Sequence, residues 1–301
     1  MKSFFLCLLF ALPLIACNTE TGDTAADAES ATESAVVTGD FDAPMGVQLW
    51  SFREQAADDP LAVFAMAHDM GITHVETAGL YDMPAEEFSA AITDAGLDVT
   101  SMHVSYDALV NDMETVIANA KALGSNYVGI AWYPHEEGNF DEATARKAIA
   151  DFNAFGKTLK DAGLTFFYHN HGYEPSPYGD GTLLDLIIDE TDPELVTFEM
   201  DVLWTWLPNV DPVKVIERHP GRFKLMHIKD MKPGLERGTL EGRLPSEDKA
   251  VIGQGQVDWP ALLKVAEADG FEHYYVEDES TDPVGNVPQS IDYLRGLSYP
   301  N

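Results

Sequence analysis

The sequence predicts an α/β fold, a single-domain (β/α)8 TIM barrel, on three observations. Apolar, β-rich runs recur along the chain, amphipathic helical patterns separate them, and a glycine stands where each of several helices should end. Eight strand–helix alternations close most simply into a parallel barrel. An open doubly wound sheet is the alternative, but no glycine-rich phosphate fingerprint follows the first strand.

The strands are expected near residues 45–51, 73–78, 98–104, 127–133, 165–170, 196–202, 223–230 and 273–278. Helix starts are marked by Asp59-Pro60, Asp211-Pro212 and Asp258 ahead of Trp259-Pro260, each a capping carboxylate before a proline of the first turn. Apolar stripes follow, as in Ile149, Phe152, Phe155 and Leu159. Gly71, Gly96, Gly124, Gly163, Gly221 and Gly270 stand at the expected helix ends, where a left-handed residue is needed. The glycine-rich and charged stretch from Met231 to Val257 is expected to form a loop over the barrel mouth.

The barrel is assigned to residues 43–301, and two segments precede it. Residues 1–17 read as a lipoprotein export signal, with Lys2, an apolar run from Phe4 to Ile15 and the small-residue site ending at Cys17. Leu14-Ile15-Ala16-Cys17 resembles the lipobox of bacterial lipoproteins, which implies lipidation of Cys17, a periplasmic or cell-surface location, and contact with a membrane through the lipid only. The mature chain then has no cysteine free for a disulfide or a thiolate site. Residues 18–42 lack Lys and Arg and have almost no large apolar side chain, as expected of a disordered acidic tether.

The chain carries 51 Asp and Glu against 18 Lys and Arg, a formal net charge of −33. That balance argues against nucleic acid as a partner, because phosphate contacts need basic side chains. A small, uncharged molecule is the expected partner; nothing in the sequence speaks to oligomeric state.

In a parallel barrel the reacting groups gather at the C-terminal strand ends. Asp201, His227 and Glu277 each close an apolar run from a different strand. Carboxylates with imidazole suit a divalent metal such as Mn, Fe, Co, Zn or Mg. The run Tyr168-His169-Asn170-His171-Gly172-Tyr173-Glu174 is the densest polar cluster, and alternation puts His169 and His171 on one face. One histidine is then a candidate metal ligand and the other a proton donor or acceptor, while Glu174 either reaches back into the site or caps the loop. Lys229 shares the face of His227 and is placed to stabilise developing negative charge or to pair with a carboxylate. Gln48, Glu76, His103, Asn170, Trp132 and Trp204 are the candidate substrate-binding residues. His103 equally suits a core histidine, and the tryptophans, Trp50 and Trp206 among them, equally suit rim packing.

Gly46-Val47-Gln48-Leu49-Trp50-Ser51, the His169 run, Phe198-Glu199-Met200-Asp201-Val202, His227-Ile228-Lys229-Asp230 and Tyr275-Val276-Glu277 together resemble the sugar phosphate isomerase/epimerase family of xylose-isomerase-like barrels. The resemblance implies a metal (Mn, Mg, Co or Zn) held by groups ending strands five to eight, here His169, Asp201, His227 and Glu277. It departs from ketose epimerases at His169, where they carry a glutamate; Glu174 is the other candidate for that place. Inosose dehydratases are similar in having a histidine run there. The DNA-repair branch needs a histidine shortly after the aspartate, where this chain has Trp204.

The implied function is a metal-dependent isomerase, epimerase or lyase acting through an enediolate on a non-phosphorylated sugar, keto sugar or keto-glycoside. Glu277, His171, Glu174 and Lys229 are the candidate catalytic groups. A non-catalytic carbohydrate-binding lipoprotein is the alternative from another class.

Overall fold

In a computed structural model describing residues 39–300, the apolar runs form eight parallel strands. They are β1 (Met45–Gln48), β2 (His74–Ala78), β3 (Asp98–His103), β4 (Tyr127–Ile130), β5 (Thr165–His169), β6 (Val196–Asp201), β7 (Phe223–Ile228) and β8 (His273–Val276). Each pairs with its neighbour in sequence, and β1 pairs with β8, Gly46 opposite Tyr275, so the sheet closes into the expected barrel. The export signal, Cys17 and most of the tether lie outside the described residues. Among the described residues no helix is long and apolar enough to cross a membrane.

Among the described residues, eight helices of seven residues or more surround the strands: α1 (Pro60–Asp69), α2 (Ala85–Asp94), α3 (Met113–Leu123), α4 (Glu142–Asp161), α5 (Leu183–Glu190), α6 (Pro212–Arg218), α7 (Trp259–Asp269) and α8 (Pro283–Arg295). The capping carboxylates act as expected: Asp59, Asp211 and Asp258 accept from the backbone N–H groups of Ala62, Val213 and Ala261 at 3.1, 3.0 and 3.2 Å. Gly124 and Gly270 end α3 and α7 in the left-handed region, φ 72° and 91°, where a Cβ would be strained.

Several strands are shorter than expected. β1 stops at Gln48, whose side chain accepts from Trp50 N at 3.0 Å and starts a 3-10 turn over Leu49–Phe52. β7 and β8 stop at Ile228 and Val276, so Lys229 and Glu277 stand just past the strands, at the mouth. Between residues 231 and 257, Met231 pairs with Lys249 and Asp230 with Ala250 as a short antiparallel hairpin. Asp230 ties down the far end of the loop by accepting from Gln256 N at 2.9 Å and Trp259 Nε1 at 2.9 Å.

The barrel interior is filled in layers. Tyr127, Phe167, Leu225 and Tyr275 form an apolar cluster separate from the outer core between strands and helices. Two glycines make room for it. A Cβ on Gly46 would come within 2.7 Å of the Tyr275 ring, and one on Gly129 within 2.6 Å of the Phe167 ring. Two residues further along β5, β6 and β7 the inward positions are His169, Glu199 and His227, so the polar layer rests on a packed floor.

Residues 39–42, expected to belong to the tether, are instead bound to the barrel. Gly39 N and Asp40 N donate to Arg295 O and Leu297 O at 2.6 and 2.8 Å, and Asp40 Oδ2 accepts from Tyr299 N at 2.7 Å. Phe41, 4% exposed, sets its ring edge-on to Tyr274 at 5.1 Å. One buried aromatic is enough to move the boundary, because its transfer from water outweighs the ordering of a few residues. Phe41→Ala should lower the unfolding free energy by about 3 kcal/mol in a urea titration; a change near zero would mean that this segment is not part of the folded body.

Candidate metal centre and active site

Alternation along β2, β3, β5, β6, β7 and β8 sends Glu76, His103, His169, Glu199, Asp201 and His227 inward at the mouth, with Lys229, Glu277 and Glu279 just beyond the strand ends. All but His103 and Glu279 are buried. Burial strips away water, so each charge must be answered by another side chain.

The contacts divide into two adjoining groups. In the first, Asp201, His227 and Glu277 converge: His227 Nδ1 lies 2.7 Å from Glu277 Oε2 and 3.9 Å from Asp201 Oδ2. His169 joins them through Nε2, 3.6 Å from Asp201 Oδ2. The second group is His103, His169, Glu199 and His227, with Glu76 beside it. Glu199 Oε2 lies 2.9 Å from both His103 Nε2 and His169 Nδ1, and His227 Nε2 lies 2.6 Å from Glu76 Oε1. Gln48 Nε2 donates to Glu76 Oε1 at 2.7 Å, and Ser101 Oγ donates to Glu76 Oε2.

The first group fits a divalent cation. Asp201 Oδ2 and His227 Nδ1 are buried and without a hydrogen-bond partner; their short contacts to Lys229 and Glu277 are ion-pair approaches lacking hydrogen-bond geometry. Mixed imidazole and carboxylate donors are what Zn, Mn, Co and Fe accept. The predicted set of His169, Asp201, His227 and Glu277 is thus brought together.

Lys229 is the cation that the cluster already holds. Its Nζ lies 3.1 Å from Asp201 Oδ2, 2.9 Å from Glu277 Oε2 and 3.1 Å from Glu279 Oε2. Lys249, from the hairpin over the mouth, also pairs with Glu279. Burial alone would push Glu277 up, but Lys229 and His227 hold it well below the usual carboxylate range. Burial and the neighbouring Glu76 push Glu199 up to about 7. Burial would lower His103, yet Glu76 and Glu199 raise it to about 9. Burial, assisted by Lys229, lowers His171 to about 3, so its ring is neutral.

A cavity of about 900 Å3 opens onto this layer, lined among others by Gln48, Trp50, His103, Trp132, His169, His171, His227, Lys229, Glu277 and Glu279. Trp50 and Trp132 remain 46% and 39% exposed, with Arg53 over the Trp50 ring at 5.3 Å and His135 stacked on the Trp132 ring at 5.0 Å. The loop covers one side: Gly242 lines the cavity where a Cβ would stand 3.1 Å from the Trp132 ring and 3.3 Å from His171.

Four predicted site residues are placed otherwise. Glu174 turns behind the barrel wall, accepting from Tyr168 Oη and, at 2.9 Å, from His171 N; Tyr168 itself packs on Phe152 of α4. It is neither a fourth ligand nor a group facing the cavity, because Tyr168 points to the opposite side of β5 from His169. Asn170 is also buried away from the cavity, accepting from Asp201 N at 3.1 Å and donating to Thr205 Oγ1 at 3.1 Å, and so holds Asp201 in place. Trp204 lies in the short helix Val202–Trp206, 2% exposed, beneath the ammonium groups of Lys229 and Lys249 at 5.5 and 4.9 Å from its ring. Glu76 is fully buried among Gln48, Ser101 and His227. Trp206 likewise packs away from the cavity, under Arg237.

Glu199, Glu279, Lys249 and Ser101 belong to the site but carry no role in the sequence reading. Glu199 and Glu279 stand two residues from Asp201 and Glu277, a spacing that marks a shared face within a strand. Lys249 arrives through the hairpin, for which the sequence holds no comparable signal.

The chain belongs to the xylose isomerase-like TIM barrel family, whose model matches residues 64–297. It is 21% identical over 226 residues to an inosose dehydratase of Clostridium botulinum (strain Alaska E43 / Type E3), covering 70% of this chain and 73% of that protein. The crystal structure of a sugar phosphate isomerase/epimerase from Parabacteroides distasonis ATCC 8503 superposes with a TM-score of 0.69 at 24% identity, covering 91% of this chain and 99% of that one. The IOLI protein with a binding zinc atom superposes with a TM-score of 0.63 at 14% identity, covering 84% of this chain and 93% of that one.

Burial raises Glu174 to about 8. Its neutral form is therefore favoured by folding: the stability it contributes is full below the ordinary carboxylate value and is lost as pH rises through about 8. Glu174→Gln keeps an acceptor for His171 N and a donor for Tyr168 without the charge. Its Tm should rise relative to wild type between about pH 5 and about pH 9; a pH-independent difference would show that Glu174 is ionised in the folded protein throughout.

Proposed function

We propose that this barrel is an enzyme that abstracts a proton next to the carbonyl of a non-phosphorylated keto sugar or keto-polyol, and that loss of water follows. The observation that carries this is the cavity floor, where Glu277, His171 and Lys229 face one space. Among the described residues that line the cavity Lys229 is the only Lys or Arg, and three carboxylates already engage it. A phosphate would find no free cation there, whereas hydroxyls and a sugar face find carboxylates, imidazoles and two exposed indoles. The inosose dehydratase relatives support elimination over epimerisation.

A divalent metal held by His169, Asp201, His227 and Glu277 would supply Lewis-acid polarisation of the substrate carbonyl. The chain's own groups do the rest. His171 is neutral and lines the cavity, which makes it the candidate to take the proton from the carbon beside the carbonyl. The rings of Trp204 and Tyr173 lie close to parallel with its ring at 5.8 and 5.9 Å and hold its orientation. Lys229 Nζ, fixed by its carboxylates, donates to the oxygen on which negative charge develops as the enediolate forms. In elimination the C–O bond at the β carbon then breaks, a C=C bond forms, and the proton on His171 leaves with the hydroxyl as water. Returning that proton to carbon instead gives the isomer.

Purified barrel beginning at residue 39 should hold about one equivalent of divalent metal, lost in Asp201→Ala and His227→Ala. His171→Ala should keep the metal and lower kcat by about 10²–10⁴-fold. With keto sugars and inososes as substrates, a product lighter by one water identifies the lyase and an unchanged mass the isomerase. Sugar binding through Trp50 and Trp132 with neither metal nor turnover would instead establish a carbohydrate-binding protein.

Residues 1–17 support a second proposal, that the enzyme is exported and held at a membrane by lipid on Cys17. Incorporation of labelled fatty acid into the expressed full chain should disappear in Cys17→Ser; incorporation that persists would place the lipid elsewhere.

A further inference from the structure

We propose that the cavity holds two rings, and that the part of it walled by the segments after β2 and β3 is a subsite for a second sugar ring carried by the substrate. The proposal rests on the reading of this barrel as a sugar enzyme and names the class within it, a keto-disaccharide in place of a free keto sugar.

The groups assigned to the reaction come from one half of the barrel: His169 and His171 from β5 and the turn after it, Asp201 from β6, His227 and Lys229 from β7 and just past it, Glu277 from the end of β8. The cavity does not end there. Its lining also takes in Leu80 past β2, Val104, Tyr106 and Ala108 past β3, and Val116 and Asn119 on α3, in the layer outside the strands. Its volume of about 900 Å3 is toward the upper end of the roughly 300–1,000 Å3 of small-molecule sites, far more than one ring with its hydroxyls occupies. A ligand confined to the floor would leave this arm to water against apolar side chains.

The arm has an apolar wall and a polar edge. Leu80, Val104, Tyr106 and Ala108 are half-buried, and Asp112, Thr115 and Asn119 set a carboxylate, a hydroxyl and an amide beside them. A pyranose offers the matching surfaces, C–H groups on its faces and hydroxyls around its rim. An aromatic group would use the wall and leave the edge unanswered. A phosphate would meet Asp107 and Asp112 and, among the described lining residues of the arm, no Lys or Arg.

The wall is also preformed. Ser105 caps the short helix Tyr106–Asn111 by accepting from Ala108 N at 3.1 Å. Tyr106 Oη donates to Asp151 Oδ2 at 2.8 Å and accepts from Lys147 Nζ at 3.0 Å, both on α4, and its ring stands edge-on to Tyr133 at 5.2 Å. A wall tied to the helix layer is in place before a ligand arrives, which lowers the ordering cost of binding.

The test gives the purified full chain three probes that share one keto ring, made by oxidising the same ring carbon of methyl β-glucoside, phenyl β-glucoside and cellobiose. Wild type should turn over keto-cellobiose with a kcat/KM about 10–100-fold above that of the methyl compound, because contacts to the added ring are available to the transition state. Ala108→Trp, which fills the arm, should bring that ratio to within about twofold of one, and Asn119→Ala should lower it for keto-cellobiose but not for the phenyl compound. A ratio taken on one sample is independent of how much of the variant is folded. A wild-type ratio near one, or a ratio that neither variant changes, would overturn the proposal. A phenyl compound that gains as much as keto-cellobiose would overturn the assignment of the arm to a sugar. Failure to turn over any probe defeats the enzyme reading instead; calorimetric affinities of the unoxidised parents, compared in the same ratios, then decide the subsite.

Discussion

Charge without water is the condition on which the rest of this molecule depends. Glu76, Glu199, Asp201 and Glu277 are carried to the mouth by β2, β6 and the end of β8, and none has solvent enough to stay ionised alone. Their partners come from other strands: His103 from β3, His169 from β5, His227 and Lys229 from β7 and the turn beyond it. Each ion pair therefore crosses the barrel or spans adjacent strands, and those that cross it, Glu76 with His227 and His103 with Glu199, do not form unless the sheet is closed in the right register. Closure in turn needs Gly46 and Gly129, since a side chain at either would collide with the Tyr275 or Phe167 ring that forms the floor.

Such a cluster is not an efficient way to stabilise a protein. Buried ion pairs repay their desolvation only when geometry is excellent, and breaking one side of a pair is costly. The cluster retains unpartnered atoms at Asp201 Oδ2, Glu199 Oε1 and His227 Nδ1, which a purely structural network would have paired. Strand ends suit such a centre because the backbone on which each group rides is held by two neighbours, whereas a loop would let the donors drift.

What could be read from the sequence follows the reach of strand alternation. Asp201 and His227 lie within or at the end of a strand, Lys229 and Glu277 one residue beyond, and the period of two still holds there. Glu199, on the same face as Asp201, was equally legible by that rule. The rule fails once the chain turns. Glu174 is five residues past β5, where the loop has doubled back behind the wall, and Trp204 sits on a helical turn, so neither follows the strand's parity. Phe41 escaped because a single aromatic in a polar run carries no periodicity, and Lys249 because its place depends on a hairpin joining residues far apart in the loop.

The division between strand and loop also separates chemistry from selectivity. The buried histidines and carboxylates and Lys229 sit on or beside strands, whereas His171, Trp50, Trp132 and Gly242 come from the segments over the mouth. Rearranging the loops would therefore reshape the cavity without disturbing the ion pairs below. Gly242 shows how tight that arrangement is here, since any side chain would press on the Trp132 and His171 rings. On the proposed function, one floor would serve either fate of an enediolate, and the base that the loop holds above it and the leaving group of the ring the loop admits would decide between them.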